Sequence, residues 1–282
     1  MTSPFLAACV QTNSGPDVGP NVEAARALVL AAREAGADLI CLPEMVAMME
    51  PNDRRRREKA AAQESDPALE AFREIAAEAG AWLLIGSLVI ETGDGGVANR
   101  SFLIDGEGGI AAHYDKIHMF DVDLKSGESY RESDAFQPGT RARLAQTPWG
   151  LLGMTVCYDL RFPHLYRALA SGGASFLAVP SAFTRTTGRD HWHVLLRARA
   201  IENGAFVLAP AQCGEHAGGR QTFGHSLIVD PWGEVLADGG EEVGFVTALI
   251  DPARAARARR RVPSLTHDRP LENPVTGLQA GR

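Results

Sequence analysis

Three residues of the kinds that hydrolytic enzymes use stand beside short apolar segments. Glu44 follows the segment DLICLP, Cys157 follows LLGMTV, and Lys116 lies in YDKIHMFD, where a long irregular stretch begins. A thiol beside a base is an activated nucleophile, and an ammonium group stabilises the oxyanion that forms when a carbonyl is attacked. If folding brings the three side chains together, acyl transfer is the chemistry they support.

Each of these residues has a simpler explanation when it is taken alone. Glu44 is then an exposed turn residue, Cys157 a small buried apolar side chain and Lys116 a solvated charge. Position favours the chemical interpretation, because ligand sites in open α/β sheets form beyond the carboxyl ends of the strands. Glu44 and Cys157 both follow predicted strands.

The spacing of the histidines does not predict a metal site. His113 and His118 lack a His, Cys or carboxylate partner at the usual ligand spacing. His191 and His193 are two residues apart on a predicted helix, so their side chains do not face each other. His191 as the partner of a thiol is an alternative, although a histidine at a helix entry is the commoner case. We therefore expect no metal.

The composition is that of an ordinary globular chain. Of 282 residues, 45% are hydrophobic and 22% are charged. The net charge of −7 argues against nucleic acid or an anionic membrane as a partner. No signal peptide or membrane span is recognisable, and the four cysteines show no disulfide spacing. We expect a cytoplasmic protein with free thiols.

Strands alternate with helices, and hairpins occur among them. Strands are predicted at 5–11, 38–42, 82–90, 97–104, 110–114, 151–156, 176–179, 206–211, 226–229 and 244–250. Helices are predicted from the cap Asn21 to Gly36, and at 65–79, 163–170, 190–203 and 252–261. This mixture predicts an α/β fold with outer helices. We expect one domain over residues 1–262 and a surface tail over 263–282.

Three motifs in this order resemble the nitrilase superfamily of carbon–nitrogen hydrolases. They are PEM at Glu44, DKIHMFD at Lys116 and VCYDLRFP at Cys157. Further matches are ESYRES at 128–133, PSAFTRTTG at 180–188, LLRARAIEN at 195–203 and GHSLIVDPWG at 224–233. The resemblance covers about residues 5–255, and the later motifs are most similar to the branch that includes deaminated-glutathione amidases and ω-amidases.

The resemblance implies a nitrilase-like four-layer αββα sandwich in which Glu44, Lys116 and Cys157 converge. It also implies a second glutamate near the lysine, which is Glu132, with Glu128 as the alternative. Family members generally dimerise face to face, so we expect a homodimer or a higher homo-oligomer. No cofactor and no metal are implied.

These roles describe hydrolysis of an amide through a thioester on Cys157, with release of ammonia. Glu44 would pass the thiol proton to the leaving nitrogen, and we expect burial or Glu132 to raise its pKa for that purpose. Lys116 and the backbone N–H of Tyr158 would stabilise the oxyanion.

The resemblance implies a small, carboxylate-bearing amide as the substrate: deaminated glutathione or a 2-oxo-ω-amide. Arg161 is a candidate for binding the carboxylate, with a structural ion pair as the alternative, and Phe183 and Thr184 are expected to line the pocket. His164 and His193 depart from the family, whose RFPE and HWE patterns have glutamate there. If those glutamates help to arrange a lysine or an arginine, the pocket electrostatics differ in this chain.

Other functions use the same residues. Hydrolysis of a nitrile or of an N-carbamoyl compound needs the same catalytic groups. A binding scaffold without activity and a redox sensor in which Cys157 pairs with Cys41 are alternatives from other classes. The presence of all the catalytic candidates argues against the scaffold.

Overall fold

The structure is a computed structural model that describes residues 3–124, 127 and 129–271. The alternative glutamate, Glu128, and the tail beyond residue 271 lie outside the described residues. Within those ranges the α-helices are α1 Val18–Glu34, α2 Asp53–Lys59, α3 Pro67–Ala79, α4 Pro163–Ser171, α5 Arg185–Asn203 and α6 Pro252–Arg261. The strands are β1 Phe5–Gln11, β2 Leu39–Cys41, β3 Ala61–Ala62, β4 Trp82–Glu91, β5 Val97–Ile104, β6 Ile110–Asp115, β7 Asp121–Asp123, β8 Ser129–Arg131, β9 Arg143–Thr147, β10 Gly150–Met154, β11 Phe176–Ala178, β12 Phe206–Ala209, β13 Cys213–Glu215, β14 Gln221–Phe223, β15 Leu227–Val229, β16 Val235–Asp238 and β17 Gly244–Ile250.

Most strands belong to two sheets of similar design. The first has the order β17–β1–β2–β4–β5–β6, with β3 paired to β4, and the second has the order β16–β15–β12–β11–β10–β9. Each sheet contains three neighbouring parallel strands, which are β1, β2 and β4 in the first and β10, β11 and β12 in the second. Antiparallel strands flank them. The carboxyl ends of parallel strands share one edge of a sheet, so residues that follow them are brought close together.

The side-chain alternation of β1 explains why the sheets and helices form layers. Ala7 and Cys9 pack in a core that also contains Phe176 of the second sheet. Ala8 and Val10 point the other way, into a second core shared with α1 and α3. Helices α4 and α5 contact β10 and β12 of the second sheet. The layers are therefore α, β, β and α, and the predicted sandwich is confirmed.

Two helices begin earlier than the sequence predicted. Asn21, the expected cap, is buried inside a helix that begins at Val18, and its side chain binds backbone carbonyls of two neighbouring loops. Helix α5 begins at Arg185 rather than near 190, because Thr184 caps it by accepting a hydrogen bond from the Thr187 N–H. In the described residues, no helix has both the length and the apolar character needed to cross a membrane.

Candidate active site

A cavity of about 570 Å³ opens where several strands end. Glu44 follows β2, Lys116 follows β6, Cys157 follows β10, and all three line the cavity. Glu132, which the resemblance implied, lines it as well. The structure therefore brings together the four residues that the sequence singled out for catalysis.

Glu44 is a buried carboxylate with three hydrogen-bond donors. Its Oε1 accepts from Lys116 Nζ at 3.0 Å and Asn99 Nδ2 at 2.9 Å, and its Oε2 accepts from the Ala182 N–H at 2.8 Å. Burial opposes ionisation, but Lys116 and then Arg220 outweigh it and lower the pKa of Glu44. The expectation of a raised pKa is wrong for the resting site. Glu44 is held there as an ionised base.

Lys116 is 2% exposed and lies between two carboxylates. Its Nζ is 2.8 and 2.7 Å from the two carboxylate oxygens of Glu132, and 3.0 Å from Oε1 of Glu44. Burial favours the neutral amine, but Glu132 and Glu44 together raise the pKa of Lys116 above its usual value. The N–H of Phe120 fixes Glu132 by donating to it at 2.6 Å. The ammonium group is consequently charged and held in one place.

Cys157 is the first residue of a 3₁₀ turn and has an uncommon backbone conformation. Its φ of 49° lies in the left-handed region, which residues other than glycine rarely adopt. The backbone N–H of Cys157 holds this conformation by donating to the Pro180 carbonyl at 2.9 Å. Burial and then the charge of Glu44 raise the pKa of the Cys157 thiol, against the opposing effect of Lys116. The resting nucleophile is therefore a protonated thiol that lines the same cavity as Glu44.

Asp159 is a buried residue that the sequence analysis did not single out. Its Oδ2 accepts from the Val156 N–H at 2.9 Å and from the Tyr114 hydroxyl at 2.7 Å. Its Oδ1 accepts from the His118 N–H at 3.1 Å and lies 2.7 Å from His118 Nδ1. Asp159 therefore ties the turn of the nucleophile to the segment that carries Lys116. The only signal for it in the sequence is its place in VCYDLRFP.

The residues predicted to bind substrate occupy two different places. Tyr158, Phe183 and Thr184 line the cavity, whereas Arg161 is not among its lining residues. The Arg161 guanidinium packs over aromatic rings, 5.1 Å from the centre of Phe183 and 5.8 Å from that of Tyr158. Its Nη1 lies 3.2 Å from His191 Nδ1, so that histidine contacts Arg161.

Four cationic side chains of the described residues line the cavity, and one of them differs from the other three. Three form ion pairs: Arg56 with Asp53, Arg131 with Asp123, and Lys116 with Glu44 and Glu132. Arg220, which the sequence analysis missed, has no carboxylate within salt-bridge distance among the described residues. Its Nη2 donates to the Ala182 carbonyl at 2.7 Å, and its buried Nε has no hydrogen-bond partner in that part of the chain.

The remaining residues from the sequence analysis lie away from the cavity lining. His164 is exposed and contacts the ring of His118, and His193 lies against Asp238. Cys41 of β2 lies opposite Cys9 of the neighbouring strand β1, and both are free thiols.

The whole chain is similar to known carbon–nitrogen hydrolases. The family model described as carbon-nitrogen hydrolase matches residues 6–260. A deaminated glutathione amidase from Yersinia enterocolitica is 42% identical over 247 residues, which cover 86% of each chain.

Solved structures with the same fold include the NitFhit protein of Caenorhabditis elegans, with a TM-score of 0.88 and 36% identity. That match covers 95% of this chain and 66% of NitFhit. A mutant amidase from a Nesterenkonia species matches with a TM-score of 0.78 and 28% identity, covering 92% of this chain and 95% of the amidase. In that amidase, the acetamide moiety of fluoroacetamide is covalently attached to the active-site cysteine. The protein described here belongs to the carbon–nitrogen hydrolase family.

Proposed function

We propose that this protein hydrolyses a small carboxylate-bearing amide through a thioester on Cys157 and releases ammonia. The observation that carries the proposal is the convergence of Cys157, Glu44 and Lys116 on one cavity, with Lys116 hydrogen-bonded to two carboxylates. Deaminated glutathione and 2-oxo-ω-amides are the proposed substrates, in keeping with the relatives named deaminated glutathione amidase.

The first half-reaction forms the thioester. Glu44 takes the proton of the Cys157 thiol as the sulfur adds to the amide carbonyl carbon. Lys116 and the N–H of Tyr158 donate to the oxyanion of the tetrahedral intermediate. Glu44 then gives the proton to the amide nitrogen, the C–N bond breaks and ammonia leaves. The ionised state of Glu44 in the resting site suits it for the initial proton transfer.

The second half-reaction returns the enzyme to its starting state. Glu44 takes a proton from a water molecule that adds to the thioester carbonyl, and the same two donors stabilise the second oxyanion. The C–S bond breaks, the carboxylic acid product forms and Cys157 regains its proton from Glu44. Glu132 acts throughout by holding Lys116 in position, at 2.7 Å from its Nζ.

Intact-protein mass spectrometry with a panel of amides tests this scheme. The expected adduct has the mass of the substrate minus ammonia, and it should be absent from Cys157→Ala, which should also lose at least ~10⁴-fold in kcat. Measuring ammonia with and without carbon dioxide distinguishes amides from N-carbamoyl compounds, and nitriles belong in the same panel. Turnover by Cys157→Ala would overturn the assigned nucleophile. A wild-type protein without adduct or turnover would favour the scaffold.

Arg220 is the residue that we propose to bind the substrate carboxylate. It lines the cavity, its buried Nε has no hydrogen-bond partner in the ranges that the structure describes, and it lies near enough to Glu44 to lower the pKa of that residue. A guanidinium group recognises a carboxylate through charge-assisted hydrogen bonds. Both arginines pack over aromatic rings, Arg220 over Tyr130 and Arg161 over Phe183 and Tyr158, but Arg161 does not line the cavity.

Two substrates of equal length separate carboxylate binding from catalysis. Glutaramic acid carries a carboxylate, and pentanamide does not. For Arg220→Gln, we expect kcat/KM to fall roughly 10- to 100-fold for glutaramic acid, because one charge-assisted hydrogen bond to its carboxylate is lost. The fall should be much smaller for pentanamide. Arg161→Gln is the matched control. If Arg161→Gln alone shows the selective loss, the carboxylate site belongs to Arg161.

We also propose that the chain is one domain over residues 1–262, located in the cytoplasm, that works as a homodimer. Large apolar side chains are exposed on and beside α5: Val194 and Ile201 are 66% and 55% exposed, and Trp232 is 58% exposed. Contact with a second copy of the chain would cover these apolar side chains, and this supports a homodimer. Sedimentation equilibrium of the wild type and of Ile201→Glu tests the dimer, which the substitution is expected to weaken.

A further inference from the structure

Three metal-binding side chains converge on the surface away from the catalytic cavity. His193 of α5 places its Nε2 at 2.9 Å from Asp238 Oδ2, and His225, just before β15, places its Nδ1 at 2.8 Å from Asp238 Oδ1. One ligand atom from each residue lies within 4.8 Å of the other two. None of the three lines the cavity. The cluster also includes His193, the position at which this chain departs from the HWE pattern.

Contacts around His225 hold its ring in a defined place. The ring stacks on Phe223 with centroids 4.5 Å apart, and the Trp192 Nε1–H donates to the His225 carbonyl at 2.8 Å. The φ of His225 is 55°, in the left-handed region. Backbone strain of this kind persists where the surrounding contacts demand it, and it is concentrated at functional sites.

Asp238 lies between the two histidines, and solvent can reach all three side chains. The Gly240 N–H also donates to Asp238 Oδ1, at 2.9 Å. The side chains of His193, His225 and Asp238 are 36%, 22% and 34% exposed. An ion from solution can therefore enter, and water can complete its coordination.

From this geometry, we propose that His193, His225 and Asp238 bind a zinc ion. Two imidazoles and one carboxylate are ligands that Zn²⁺ prefers, and sites with three protein ligands keep a fourth position for water. Ligands about 2 Å from a tetrahedral zinc ion are roughly 3.3 Å apart. The present separations of 2.8 and 2.9 Å run to the two different oxygens of Asp238, and all three ligand atoms lie within 4.8 Å of one another. Zinc binding therefore requires the carboxylate and the two rings to rotate until one atom of each faces the ion.

The ion would join segments that are far apart in the sequence. It would link α5 to the end of β16 and to His225, two residues before β15. Helix α5 is capped by Thr184, which lines the catalytic cavity. Zinc would therefore stabilise the fold and the helix that forms one wall of the cavity.

Zinc binding is best measured on untagged full-length protein carrying Cys157→Ala, because the catalytic thiol is a competing ligand. Isothermal titration with ZnCl₂ is expected to give one ion per chain. His193→Ala and Asp238→Asn in the same background should each weaken binding by more than ~10-fold, since even second-shell changes cost 10- to 100-fold. Bound Co²⁺ should give a visible absorption spectrum that both variants lose.

His191→Ala is the matched control, because His191 lies on the same helix but contacts Arg161 instead of the cluster. It should bind zinc like its parent. Thermal melts without metal check that every variant folds, and added zinc should raise the Tm of the parent and of His191→Ala only. Binding that is absent from the parent, or that His193→Ala leaves unchanged, overturns the proposal and makes the cluster a hydrogen-bonded network alone.

Discussion

The catalytic cluster and the proposed zinc cluster are built alike but differ in exposure. Each gathers ionisable side chains from distant segments around a shared carboxylate. Lys116 and Glu44 are 2% and 3% exposed, whereas the side chains of His193 and Asp238 are 36% and 34% exposed. A buried charge must be paired, because an unpaired one loses its hydration without compensation. The buried catalytic charges must therefore stay paired with one another, whereas the exposed side chains of the second cluster can bind an ion from solution.

The largest effect on folding is expected when the buried ammonium group is removed. Lys116→Met leaves Glu44 and Glu132 buried without their cation, so the free energy of unfolding should fall by about 3–5 kcal/mol at neutral pH. Urea denaturation measures this. The loss should shrink as the pH falls toward 4.5, the ordinary glutamate value, because burial without the cation raises the pKa of Glu44 and protonation removes its charge.

A cation at the surface supplies the control for that experiment. Arg26 forms an exposed ion pair with Glu78, with 40% and 44% of the two side chains accessible. Arg26→Met should change the free energy of unfolding by less than ~1 kcal/mol. Equal losses for Lys116→Met and Arg26→Met would contradict the contrast between buried and exposed clusters.

A smaller loss is expected at Asp159, which supports the nucleophile turn. The amide nitrogen of Asp159→Asn would face donors, so at least one of the buried groups would lose its acceptor, at a cost of about 2–3 kcal/mol. Tyr114→Phe, which removes only one of these hydrogen bonds, should cost about 1 kcal/mol. Urea denaturation compares the two, and the opposite ranking would remove Asp159 from this supporting role.

The reactivity of the nucleophile provides a test that depends on pKa. Because burial and Glu44 raise the pKa of Cys157, alkylation by iodoacetamide should be slow between roughly pH 7 and 9, and its rate should rise about tenfold per pH unit without levelling off. The unfolded chain should react faster at each pH, and its rate should level off above about pH 8.5. In Glu44→Gln the charge that opposes the thiolate is gone, so alkylation should be faster than in the wild type at the same pH.

The smallest effect is expected in the exposed cluster without metal. Asp238→Asn should cost less than ~1 kcal/mol, because solvent screens the partly exposed carboxylate. The pKa of Asp238 is lowered from 3.8, so its contribution is present above that pH and is lost as the pH falls through the lowered value. Thermal melts in a chelator measure it. A loss comparable to that of Lys116→Met would show that the network is structural.

Much of the fold was readable from local patterns. Helix α3 ends at Ala79 as predicted, because Gly80 adopts the left-handed cap at φ 58°. It begins at Pro67, two residues after the predicted start, because Asp66 caps it and a proline fits the first helical turn. The start of helix α1 was predicted wrongly because asparagine often caps helices. Here Asn21 is buried inside the helix, and its side chain donates to backbone carbonyls. Whether Asn21 caps the helix or is buried depends on the loops packed against it. The residues next to Asn21 in the sequence do not reveal those contacts.

The sequence by itself determined that strands alternate with outer helices and that Glu44 and Cys157 each follow a strand, since apolar periodicity predicts both. The four-layer sandwich was predicted from the family resemblance. Only the tertiary structure decided that Arg220 lines the cavity and Arg161 does not, in which direction the pKa of Glu44 moves, and that His193 contacts Asp238 close to His225. These outcomes depend on distances between groups far apart in the chain. Such distances arise when whole layers pack, and they cannot be predicted from the spacing of residues along the sequence.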